Sequence, residues 1–132
     1  EPNLPELTKI YKEDWAINHW DENDIVKIFI ADDDNSEAMI ERIAINMDSL
    51  VLKRYLSKFK STNDIQTKTN KYISTIYFHS MYLYSVLQKL KQTEENDIKD
   101  IEIDELIATS FKYYAPALVE LAEISLYDTS DE

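Results

Sequence analysis

The chain has 132 residues, of which 44% are apolar and 30% charged, enough apolar material for one folded domain and too much for wholesale disorder. A net charge of −12 excludes a broad polyanion-binding surface, and the absence of Cys excludes disulfides, thiolate metal sites and Cys nucleophiles. There is no Gly at all, against an average near 7%. Phosphate-cradling and nucleophile-elbow motifs therefore cannot form, and tight hairpins lose their default residue. The expected fold class is all-α: an antiparallel bundle of four to five helices, joined by Asn- and Asp-based turns, around a long central helix at about 64–91.

In chain order, residues 1–12 carry the signals of a helix start. Asn3 can cap, Pro5 suits the first turn, and Leu4, Leu7, Ile10 and Tyr11 recur at helical spacing. In residues 13–31, Asp21 or Asn23 can cap a helix over Ile25, Ile28 and Phe29. The run 25–31 is also compatible with a short buried strand. With no second convincing strand to pair with, helix is the expectation. The acidic stretch 32–37 marks a boundary, with Asp34, Asn35 or Ser36 capping a helix from about 37 to 59 that Asp48-Ser49 interrupts or bends. The stretch is not a calcium loop, because its sixth position is Glu37 and its twelfth Ile43.

Residues 60–63 read as a polar linker, and Asn63 or Asp64 caps the long helix. Tyr72, Ile76, His79, Leu83, Val86 and Leu90 form one seam of that helix, with Tyr77, Met81 and Tyr84 on a second face and Phe78 and Tyr82 on another. A helix apolar nearly all round is central to a bundle or sits in an interface. Residues 92–100 read as a loop and 101–127 as a last helical region interrupted by Pro116. Residues 1–127 thus read as a single helical domain and 128–132 as a frayed acidic tail. Residues 41–43 with 50–59 (ERI, LVLKRYLSKF) resemble a long helix of replication accessory subunits such as those of the GINS complex. The resemblance covers one amphipathic helix and implies no site residue.

Charge is segregated along the chain. Residues 1–50 hold 4 basic and 13 acidic side chains, 51–92 hold 8 and 1, and 93–132 hold 2 and 12. Lys53, Arg54, Lys58, Lys60, Lys68 and Lys71 bracket the turn before the long helix and are candidate phosphate or nucleic-acid contacts. The plainer reading pairs them with the acidic flanks. Trp15 and Trp20, with Tyr77, Met81 and Tyr84, are candidate partner contacts. The plainer reading of the two Trp is that they anchor a terminal segment onto the bundle, and His79 reads as a core or near-core residue.

No catalytic constellation, cofactor motif or metal-ligand spacing is present, so no catalytic, cofactor-binding or metal residues are assigned. The expected function is a non-catalytic helical protein–protein interaction module or an accessory subunit of a larger complex. Another protein is the expected partner, and a homo-oligomer is compatible with the same surfaces. The alternatives are a nucleic-acid-associated subunit using residues 53–71, or an acidic mimic of nucleic acid. No apolar run reaches the roughly 18 residues of a transmembrane helix, no membrane partner is expected, and an intracellular location is.

Overall fold

The computed structural model describes residues 4–31, 39–93 and 101–123. Three strands are present: β1 (Glu6–Ile10), β2 (Val26–Ile30) and β3 (Ile40–Asn46). They form one sheet of order β1-β3-β2, with β1 parallel and β2 antiparallel to the central β3. Between β1 and β2 lie a 3-10 turn, Lys12–Asp14, and a single helical turn, α1 (Trp15–Asn18). Three helices follow: α2 (Leu50–Leu56), α3 (Thr62–Gln92) and α4 (Ile103–Glu123). The architecture is mixed α/β, which corrects the expected all-α bundle.

The strands alternate as strands must. Val26 and Ile28 of β2 lie opposite Ile45 and Ile43 of β3, and all four enter the core that the helices cover. Lys27 and Phe29 lie opposite Ala44 and Arg42 on the other face. There Lys27 Nζ and the Arg42 guanidinium sit 5.2 and 3.8 Å from the centre of the Phe29 ring. The helices cover only the first face. α3 packs on β3, α4 on β2, and α2 against both helices. α3 and α4 run antiparallel: Lys68 meets Glu123 at one end, and Lys91 Nζ donates to the Ile101 carbonyl at the other.

Four sequence expectations are overturned, each for a physical reason. Residues 6–10 are a strand because β3 offers backbone partners from Arg42 to Asn46, and pairing outweighs a weak helical spacing. Residues 26–30 are a strand because that second strand does exist, at 40–46. Residues 40–46 are not the first turns of a helix, nor part of the long helix whose resemblance was noted. Ala44 and Asn46 are buried on the outer face while Ile43 and Ile45 are buried on the inner, so a two-sided strand reads as a nearly continuous apolar run. The lack of Gly does not bar a sheet. Parallel pairing of β1 with β3 needs a long crossover rather than a tight turn, and His19, at φ 58°, is the only described residue in the left-handed region.

The helical expectations fare better after residue 49. Ser49 caps α2, accepting the Leu52 N–H at 3.1 Å, so Asp48-Ser49 is where strand gives way to helix rather than a bend within one helix. α3 covers the long helix expected at 64–91 but starts earlier: Ser61, not Asn63 or Asp64, is its cap and accepts the Asp64 N–H. α4 runs through Pro116 without a break, forgoing the backbone bond to Lys112. The expected caps at 34–36, most of the 92–100 loop and the 128–132 tail lie outside the described residues.

One side chain pins the non-helical half of the fold. β1 ends and β2 begins at the end of the sheet where β3 also finishes, so residues 11–25 must cross that end. Asn46, the last residue of β3, is fully buried there. Its Oδ1 accepts from Trp15 Nε1 and from the Asp48 N–H, both at 3.0 Å. Its Nδ2 donates to the carbonyls of Asp21 at 3.1 Å and Asp24 at 2.8 Å. All four hydrogen-bonding positions of the amide are filled. We expect Asn46→Ala to lower unfolding free energy by about 2–4 kcal/mol in urea titrations. Asn46→Asp should be at least as damaging at neutral pH, since it turns a carboxylate oxygen toward two carbonyls. A variant of wild-type stability would refute the assignment.

Candidate interaction surface

α3 is amphipathic in the ordinary way on its inner side. Tyr72, Ile73, Ile76, Tyr77 and Tyr84 point into the core. What is unusual is its outer side. Residues 72–88 contain no Asp, Glu, Lys or Arg, and at 1.5 Å per residue that run spans about 25 Å. Within it Phe78, His79, Tyr82 and Val86 are exposed, Tyr82 at 63% and Val86 at 53%. At 100° per residue these four fall within one 100° sector, facing outward and toward α4. Leu90, one turn further on and just past the edge of that sector, is also exposed.

α4 answers with a matching shoulder. Leu106, Tyr113, Tyr114 and Leu121 are exposed, Tyr113 at 81%. Between Leu106 and Val119 the only charged residue is Lys112, which turns away to pair with Asp24 at 3.3 Å. His79, Tyr82, Leu83 and Val86 of α3 and Phe111 and Tyr114 of α4 line a groove of about 420 Å³ between the two shoulders. The rings of His79 and Tyr114 are 6.3 Å apart across it. Phe78 and Tyr82 stack along α3 at 6.3 Å. Taking about 200 Å² for a fully exposed large side chain, the exposed parts of the eight Tyr, Phe, Leu and Val residues amount to on the order of 800 Å².

The residues singled out in the sequence divide differently. Tyr77 and Tyr84 are buried in the core, and Tyr77 donates its hydroxyl to the Pro5 carbonyl at 2.6 Å. Burial raises the hydroxyl pKa of both, with the Asp104 carboxylate adding to the rise at Tyr84. Met81 is half-buried and packs against the core. Trp15 is half-buried and held by Asn46, which fits the anchoring alternative, and Trp20 is half-buried beyond α1. None of these five lines the α3–α4 groove. His79 lies on its lip, exposed, and not in the core. The missed residues had a signal: a 72–88 run free of charge in a chain that is 30% charged.

The basic residues gather around α2 and the start of α3. Lys53, Arg54, Lys58, Lys60 and Lys71 are exposed. Arg54 and Lys58 share a shallow groove with Tyr55, Pro116 and Glu120. Lys68 Nζ reaches both oxygens of Glu123 at 3.0 Å and lies 5.0 Å from the Phe59 ring centre. Tyr55 donates its hydroxyl to Glu123, and burial followed by that carboxylate pushes its pKa far above the usual tyrosine value. Glu123 is held below its ordinary 4.5, chiefly by the Tyr55 hydroxyl, with Lys68 and Lys71 adding to it against a smaller burial effect. The acidic flank thus reaches into the basic turn. Among the described residues, no group of three or more His, Asp or Glu could hold a metal ion, and no helix is long and apolar enough to cross a membrane.

Comparison of the chain with protein-family models, curated proteins and solved structures found no match.

Two outcomes follow from this geometry. Tyr77→Ser and Tyr84→Ser should each cost about 3 kcal/mol of stability in urea titrations, whereas Tyr77→Phe, losing only the bond to Pro5, should cost about 1 kcal/mol. Glu123 has a depressed folded pKa, so its stabilisation is complete above the unfolded value and lost as pH falls through the folded one. The stability gap between wild type and Glu123→Gln should therefore be flat above about pH 5 and close below 4.5. At this exposed pair it should not exceed about 1 kcal/mol. A gap that widens toward acid would contradict the pairing.

Proposed function

We propose that the chain is a non-catalytic protein-interaction module that docks through the outer face of α3 and α4. One observation carries the reading: a face of aromatic and aliphatic side chains, nearly free of charge, on a protein whose net charge is −12. Exposing that much apolar surface costs solubility, so a soluble chain retains it where something covers it. The composition fits as well, since interface centres are depleted in charge and enriched in Tyr and Phe. Chemistry has less support. Ser80, beside His79 in sequence, is buried with its hydroxyl unpartnered, while His79 is exposed on another side of the helix, so the two cannot act together.

The test is site-specific photocrosslinking in cells of the source organism. A benzophenone amino acid at position 82 or 113 is expected to give a discrete protein adduct. The same group at position 8, on the opposite face of the sheet, is expected to give none. No adduct from 82 and 113, or the same adduct from all three positions, would overturn the reading.

A further inference from the structure

We infer that the occupant of the α3–α4 face is a second copy of this chain, paired about a two-fold axis; the inference rests on the docking reading above and names its partner. The argument begins with charge. A heterologous partner selected for a protein of net charge −12 would gain most by offering cations to carboxylates. The α3–α4 face offers it none. Residues 72–88 are uncharged, and the single charge of α4 between 106 and 119 is turned to Asp24. A surface that meets this face must itself be apolar and uncharged, because a charge buried against it would find no partner. Among the described residues, the face itself has that character. Pairing any other surface with its own copy about a two-fold axis sets acidic residues against acidic ones or the basic turn against itself, and this face is where two copies can meet with least repulsion.

The area agrees. A standard interface buries about 800 Å² on each partner, the same order as the apolar area exposed here. An isologous pairing uses one patch twice, so its demands are met by a patch complementary to itself. This one is a groove with projecting rings: Tyr82 of α3 and Tyr114 of α4 line it with His79 and Val86, and Tyr113, next to Tyr114 in sequence, is 81% exposed. Projecting rings of one copy can enter the groove of the other. The assembly is then layered, with two sheets outermost and a double layer of α3 and α4 helices between them.

Electrostatics supplies a signature that separates this pairing from capture of a basic partner. Salt weakens attraction between opposite charges, but it screens repulsion between two acidic copies. Sedimentation velocity of the 132-residue chain, from about 1 to 300 µM, is expected to show twice the monomer mass at high concentration. Its dissociation constant should fall several-fold between 50 and 500 mM NaCl. Tyr82→Glu and Tyr113→Glu, both at exposed positions and so compatible with folding by circular dichroism, should each raise it by about 30-fold or more. Ile17→Ser, at an equally exposed apolar residue of α1 away from the face, should leave it within about two-fold. A dimer indifferent to both Glu substitutions, or one weakened by salt, would overturn the inference. A chain monomeric throughout would overturn it too. If crosslinking from position 82 then still captures a different polypeptide, the docking reading survives; if it captures nothing, both fall.

Discussion

The amide of Asn46 is the constraint on which the strand-rich half of this protein depends. The sheet order β1-β3-β2 forces residues 11–25 across the end of the central strand, and of that crossing only Ile25 enters the core. Two carbonyls, one indole N–H and one backbone N–H converge on a single buried side chain. Further backbone bonds tighten the same region: Met47 N–H to the Ile10 carbonyl at 2.7 Å, and Leu50 N–H to the Glu22 carbonyl at 2.8 Å. Lys12 N–H to Asp48 Oδ2, also at 2.7 Å, ties the crossing to the start of the α2 turn. A buried Asn in a strand is costly if any of its bonds is missing and specific if all are made. Here all are made.

With the crossing fixed, the helices have one sheet face to cover. A second buried polar contact, between Ser49 and the Tyr72 hydroxyl at 3.4 Å, joins the cap of α2 to the middle of α3. Burial pushes the Tyr72 hydroxyl up to about 12, the bond to Ser49 opposing the rise. The packing of α3 explains why its apolar residues go round so much of its surface. In a bundle a central helix is covered on every side. In a layer over a sheet it is covered below and on its flanks, and its upper side is left open. The residues that would have been core in the expected bundle are surface in the observed layer, and that is the origin of the exposed face.

The distribution of charge follows the same division. The basic segment 51–71 meets acidic residues of α4, as at Lys68 and Glu123, while the middle of α3 stays neutral. Charged residues gather at the ends and edges of α3 and α4, and the apolar face with its groove lies on their outer side. Such a separation keeps the charges solvated and leaves one surface of a strongly acidic protein nearly free of charge.

The sequence by itself determined the long helix, to within two residues of its ends, because helical periodicity over many turns is a local signal, while the Ser caps of α2 and α3 were fixed by the fold. It also determined the charge segregation and contained the uncharged 72–88 run, which a count of charges along the helix would have found. The strands were not legible. β1 and β2 are five residues each, and either is a strand only because β3 pairs with it at long range. β3 in turn hides its alternation by burying both faces at its second half. Nor could the sequence distinguish Tyr77 and Tyr84, which are core, from Tyr82, which is surface: all three are Tyr on one helix. Only the tertiary structure, by placing the sheet under one side of α3 and nothing over the other, decided which of them solvent would reach.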